Sequence, residues 1–202
     1  MDNDKPIVLN LFITNACNLQ CSYCYVDSCP DSDTSSAKYM SLPDLEFILK
    51  SLDRENIELV HVFGGEPFLH PDIRDICEMC RAAGYPVNIA TNGTLLHEHL
   101  PWIKKNRVSI SVNMLGDDPQ LLGLLDCSFP LPGITRNARD AVQSGIDVNG
   151  IICAFPVEDT PEGNARFYTE YLRTLHDDTG IHDFFILYFS RIGRGMQSSR
   201  PR

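Results

Sequence analysis

Cys17-Asn18-Leu19-Gln20-Cys21-Ser22-Tyr23-Cys24 follows closely on Ile7–Thr14 (IVLNLFIT), a run of β-branched and aliphatic residues. Such a run has the composition of a buried strand, so the three thiols, spaced C-x3-C-x2-C, fall on the loop that leaves it. Thiolates are soft ligands suited to zinc or iron–sulfur centres. A cubic four-iron cluster normally takes four cysteines, and three close ones leave one iron with an open coordination position. An open position distinguishes a catalytic metal site from a structural one. The alternatives are a structural zinc knuckle, which usually adds a second ligand pair at a defined spacing, and a ferredoxin-like run of C-x2-C steps with a C-P ending.

Working outward, Asp27–Lys38 is rich in Ser, Asp and Pro and reads as a surface loop. Ser41 caps a helix with Asp44 three residues on, and Leu45, Ile48, Leu49 and Leu52 supply its apolar stripe. Glu58–Phe63 is a second strand, ending in Gly64-Gly65-Glu66-Pro67. A helix over Asp72–Ala83 and a third strand over Tyr85–Ala90 follow, the strand ending in Thr91-Asn92-Gly93. Next come a helix over Leu95–Lys105, a strand over Arg107–Asn113, an irregular stretch to Gly133 and a helix over Ile134–Ser144. Ile146–Phe155 is the fifth strand, Asn164–Asp177 the fifth helix and Asp183–Phe189 the sixth strand, before a basic Gly/Ser tail over Ser190–Arg202.

Strands alternating with helices make right-handed βαβ units with parallel strands. Six strands are too few for an eight-fold barrel, so the expectation is an α/β fold: an open, partial (β/α)6 barrel, or else a doubly wound sheet, over residues 1–189. In such folds the site lies at the C-terminal strand ends. CNLQCSYC, GGEP, TNG and SVN all fall there, on strands one to four.

No apolar run approaches the roughly 20 residues that span a bilayer, and the acidic Met1–Lys5 has no secretory character. A cytoplasmic protein is expected, and in a reducing compartment eight cysteines are metal ligands or core residues rather than disulfides. A formal charge of −10 opposes a nucleic-acid partner, which needs a basic face.

Cys17, Cys21 and Cys24, with Gly64-Gly65-Glu66-Pro67 at the next strand end, resemble the radical S-adenosylmethionine (SAM) superfamily over Ile7–Phe189. The resemblance implies a [4Fe–4S] cluster on the three cysteines, with SAM chelating the fourth iron. It implies reductive cleavage of SAM, with electrons from a flavodoxin or ferredoxin, and a 5′-deoxyadenosyl radical that abstracts hydrogen from substrate. It also implies cofactor-binding roles. Glu66 and the backbone of Gly64, Gly65 and Pro67 would hold the methionine amino group, and Tyr23 would lie near the adenine. Ser111 and Asn113 would meet the ribose or carboxylate, though many relatives carry Asp at the latter position. Gly150 and Ile151 would pack on the adenine, and Asn92 in TNG would join the site. Apart from the resemblance, Arg191 and Arg194 after the last strand read either as a solvated tail or as a clamp on a SAM or substrate carboxylate, since guanidinium pairs bidentately with carboxylates.

Arg191–Gly195 resembles the exit from the core in the peptide- and protein-modifying branch, which usually continues into a cysteine-rich domain. The expectation is a minimal core acting on a peptide side chain in a maturation pathway. The alternatives are a small metabolite substrate, a glycyl-radical activase, and an Fe–S or zinc interaction module without activity. An uncovered barrel edge points to a homodimer or a partner protein. Cys77 and Cys80, at i and i+3 of a helix, and Cys153 on a strand are expected in the core. His61 is expected there too, His70 at a helix start, and His97 and His99 on the surface. Cys29 is expected as a loop thiol, and Cys127 has an auxiliary-cluster or hydrogen-donor reading.

Overall fold

In chain order the computed structural model contains β1 (Ile7–Thr14), the two-residue bridges β2 (Ala16–Cys17) and β3 (Cys29–Pro30), α1 (Leu42–Ser51), β4 (Ile57–Gly64), α2 (Ile73–Ala82), β5 (Val87–Thr91), α3 (Leu96–Lys105), β6 (Ser109–Asn113), α4 (Ile134–Gln143), β7 (Val148–Ala154), α5 (Pro161–Thr179) and β8 (Phe184–Tyr188). The described residues are 6–26, 28–30, 35–52, 57–114 and 133–188. Arg191, Arg194 and Cys127 lie outside them, as do the tail and most of the long fourth loop.

The six long strands pair in parallel in the order β1-β4-β5-β6-β7-β8. Strand order follows chain order without reversal. A doubly wound sheet reverses at its switch point, whereas right-handed crossovers repeated in one direction put every helix on the same face. The sheet curls into an open half-barrel, so the partial barrel is observed and the doubly wound alternative is not.

The alternation along the strands follows from that winding. Val60, Val62, Ile89, Ile110, Val112 and Ile152 face the helices and are fully buried in one continuous core. The intervening positions face the concave side, and several are polar: Asn10 pairs with His61, His61 with Asn88, and Ser111 with Asn149 in register across the sheet. Packing on the convex face therefore holds the fold, and the concave face is left for chemistry. Cys77 and Cys80 lie fully buried under α2, as core residues.

Local signals set the helix ends. Ser41 Oγ accepts from Asp44 N–H at 3.2 Å and caps α1. Helix α5 starts three residues before the expected Asn164, because Thr160 caps it and Pro161 occupies its first turn. His70 sits at a helix start as expected, with Nε2 on Met40 O at 3.0 Å and Nδ1 accepting from Asp72 N–H at 3.0 Å. His97 is exposed beside Glu98. His99 is not a surface residue: it is half-buried, stacked on Phe68 with ring centroids 4.4 Å apart.

Candidate functional site

The thiol loop and the glycine turn are joined through the backbone. Gly65 N–H donates to Thr14 O and Glu66 N–H to Ala16 O, each at 2.7 Å. A Cβ on Gly64 would stand 2.4 Å from Thr14 O, and one on Gly65 2.2 Å from Ala16 O. No side chain tolerates that approach, so the two glycines let the tip of β4 lie directly on the chain leading into the thiol loop. The sequence suggested that the glycines admit a ligand. Their first task is to admit β1 and β2.

Above this junction lies a cavity of about 510 Å³. Cys17, Cys21, Cys24 and Tyr23 line it from the loop, Gly64 and Gly65 from the turn, Asn92 from the tip of β5, Asn113 from β6, and Ile151 and Cys153 from β7. Nine of the residues singled out in the sequence, from four strand ends and the thiol loop, thus share one space with Cys153. No Lys, Arg, Asp or Glu appears among the described lining residues.

Glu66, Pro67, Ser111 and Gly150 do not line it. Glu66 is fully buried, and both carboxylate oxygens are engaged. Oε1 accepts from Phe68 N–H at 3.1 Å and Thr91 O–H at 2.8 Å, and Oε2 from Asn92 N–H at 2.7 Å. Its carboxylate braces the tips of β4 and β5 rather than facing the cavity. Burial pushes the Glu66 carboxyl up to about 7, and the three donors keep it from rising further. Ser111 is buried and donates to Asn88 Oδ1 at 2.9 Å. At Gly150 a Cβ would meet the Phe184 ring at 2.5 Å, so this glycine serves the packing of β7 against β8.

Other residues enter the site that composition and periodicity did not single out. His61 is half-buried at the cavity floor rather than in the core, with Nδ1 2.8 Å from Asn88 Oδ1. Cys153, also expected in the core, is half-buried on the cavity wall, where burial raises its thiol to about 11. Asn18 and Thr94 bond to Asn92 across the loop. The signal for His61 and Cys153 was their parity: each sits two residues from another concave position, but parity does not say which face is covered.

Burial raises the Cys17 thiol to about 11, with Glu66 and Cys24 adding to the effect. A thiol so placed stays protonated in the metal-free protein, whereas coordination to iron deprotonates it outright. Leu19 N–H at 3.4 Å and Asn92 Nδ2 at 3.9 Å point at its sulfur. Tyr23 packs edge-on against Phe155, and its hydroxyl accepts from Asn113 Nδ2 at 3.3 Å. Asn113 Oδ1 is buried with no partner among the described residues, an acceptor in want of a donor. Among those residues no group of three or more His, Cys, Asp or Glu is arranged to hold one metal ion. Cys17, Cys21 and Cys24 nonetheless line one cavity, and thiolates are the ligands that hold an iron–sulfur cluster.

A parallel half-barrel with a three-thiol loop and a glycine turn on its C-terminal rim is the frame of a cluster-dependent enzyme. Residues 11–162 match the radical SAM superfamily, and the chain belongs to it. This family uses a [4Fe–4S] cluster and SAM, and the residues on the cavity wall fit that pair.

Among curated relatives, a probable GTP 3′,8-cyclase of Methanocaldococcus jannaschii is 28% identical over 162 residues, which are 76% of this chain and 52% of that protein. A GTP 3′,8-cyclase of Shewanella denitrificans is 30% identical over 146 residues, 69% of this chain and 42% of that one. The chain spans about half the length of these relatives or less. Among solved structures, Streptococcus suis SuiB bound to the precursor peptide SuiA matches with TM-score 0.72 at 17% identity, over 93% of this chain and 40% of that one. HydG, a maturase of the [FeFe]-hydrogenase, matches with TM-score 0.67 at 16% identity, over 93% and 44%. These two likenesses carry the fold alone. No helix among the described residues is long and apolar enough to cross a membrane.

Proposed function

We propose that this chain carries the SAM-cleaving core of an enzyme that abstracts hydrogen from a peptide side chain in a maturation pathway. The observation behind it is the single cavity shared by Cys17, Cys21 and Cys24 with the Gly64–Gly65 backbone, Asn92 and Asn113. Cys17, Cys21 and Cys24 hold the cluster. The carbonyls of the glycine turn, rather than the Glu66 carboxylate, accept from the methionine ammonium, and Asn113 Oδ1 accepts from a ribose hydroxyl. Tyr23 and Ile151 flank the adenine. When bound, the pair supplies one-electron reductive cleavage and a hydrogen-abstracting radical, with the electron from a flavodoxin or ferredoxin. The chain itself positions the groups and excludes water.

The relatives named GTP 3′,8-cyclase support a second reading, the same chemistry on a small metabolite. Anaerobic reconstitution tests the first claim: about four irons per chain and dithionite-dependent 5′-deoxyadenosine from SAM are expected, and both are lost in Cys17→Ala. A Cys17→Ala variant with full iron content would sink it. Adding GTP, or a precursor peptide encoded beside the gene, separates the two substrates by which one accelerates SAM consumption.

A further inference from the structure

Beside Cys17, the side chains of Asn18, Asn92 and Thr94 close a ring of hydrogen bonds. Asn92 Nδ2 donates to Asn18 Oδ1 at 2.8 Å, Asn18 Nδ2 donates to Thr94 Oγ1 at 2.8 Å, and Thr94 Oγ1 donates to Asn92 Oδ1 at 2.6 Å. The backbone fixes the direction of travel. Thr94 N–H donates to Asn92 Oδ1 at 2.9 Å, so that atom must be the oxygen and the nitrogen must face Asn18. Asn18 then has to present its oxygen there and its nitrogen to Thr94. Each step is forced by donor and acceptor type.

The ring leaves Asn92 Nδ2 with a second N–H, and it faces Cys17 Sγ at 3.9 Å. The turn that carries that N–H is held at two more points. Glu66 Oε2 accepts from its backbone N–H at 2.7 Å, and the buried Asn137 of α4 donates to Gly93 O at 2.9 Å. With Leu19 N–H at 3.4 Å, two amide donors converge on the first thiol of the loop. Cys24 Sγ, by contrast, has the Ser28 hydroxyl at 3.6 Å, a partner that can turn away.

We propose that Asn92, aimed by Asn18 and Thr94, is a positioning residue that draws charge off the Cys17 thiolate and so sets the reduction potential of the cluster. Hydrogen bonds to cluster sulfurs favour the reduced state, which carries one more negative charge. A fixed amide favours it at no cost in reorganisation when the electron arrives. The inference rests on the cluster occupying this loop, as proposed above.

The test compares wild type with Asn92→Asp, Asn92→Ser and Thr94→Val after anaerobic reconstitution. Iron per chain is counted, and the midpoint potential is read from an EPR-monitored reductive titration. Asn92→Asp sets a carboxylate oxygen against the sulfur, Asn92→Ser withdraws the donor without adding charge, and Thr94→Val leaves the donor but removes its aim. With the wild-type complement of iron, the potential is expected to fall in all three, furthest for Asp and least for Val. Wild-type potentials in iron-replete Asn92→Ser and Thr94→Val overturn the proposal, whatever becomes of Asn92→Asp. A wild-type protein that takes up no iron overturns the functional reading instead.

Discussion

Replacing Glu66 with Gln tests how the site balances burial against hydrogen bonding. The carboxyl is fully buried and pushed up to about 7 from an ordinary 4.5. A carboxyl raised on folding makes the folded state bind the extra proton. Its contribution to stability is complete below pH 4.5 and is lost as pH rises through about 7. At roughly 1.4 kcal/mol per pH unit, the loss over that window is about 3 kcal/mol. Other titrating groups act equally on wild type and Glu66→Gln, so the difference between the two isolates this carboxyl. Urea unfolding of the reduced apoproteins from pH 4.5 to 8.5 measures it. Wild type is expected to lose about 3 kcal/mol relative to Glu66→Gln across the range. Parallel curves would refute the raised carboxyl. A wild type that gained on the variant with rising pH would show that Phe68, Thr91 and Asn92 outweigh burial.

Gly65→Ala places a Cβ 2.2 Å from Ala16 O, and backbone cannot yield as a side chain can. A loss of at least about 3 kcal/mol is expected, read as a fall in melting temperature of roughly 6–12 °C at this chain length; a melting temperature within 2 °C or so of wild type refutes the close approach. His61, partly desolvated at the cavity floor, should titrate below the usual histidine range by ¹H–¹⁵N NMR, with the proton on Nδ1 facing Asn88. Titration at or above pH 6.5 or so contradicts it. Cys77 and Cys80, fully buried, should resist iodoacetamide until urea unfolds the protein, and equally fast labelling of the native chain would remove them from the core. Ser41→Ala deletes the cap that accepts from Asp44 N–H and should cost about 1 kcal/mol in urea unfolding; an unchanged midpoint would leave the cap without weight.

The sequence by itself carried the order of strands and helices, the parallel sheet and the family. Hydrophobic periodicity and glycine placement are local signals, and the thiol and GGEP spacings are covalent facts of the chain. It also carried the gathering of Cys17, Gly64, Asn92 and Asn113 on one rim, because parallel strands must end on the same side. Which face of the sheet the helices cover was not local. His61 and Cys153 read as core until the one-directional winding put the described helices on the other face and left both residues lining the cavity. Glu66 read as a ligand because a carboxylate beside two glycines can serve as one. Only the approach of Phe68, Thr91 and Asn92 to its two oxygens shows that they are already engaged. The ring of Asn18, Asn92 and Thr94 joins residues 76 positions apart in the chain, and no spacing rule reaches that far. Motifs placed the thiols, and long-range hydrogen bonding decided what surrounds them.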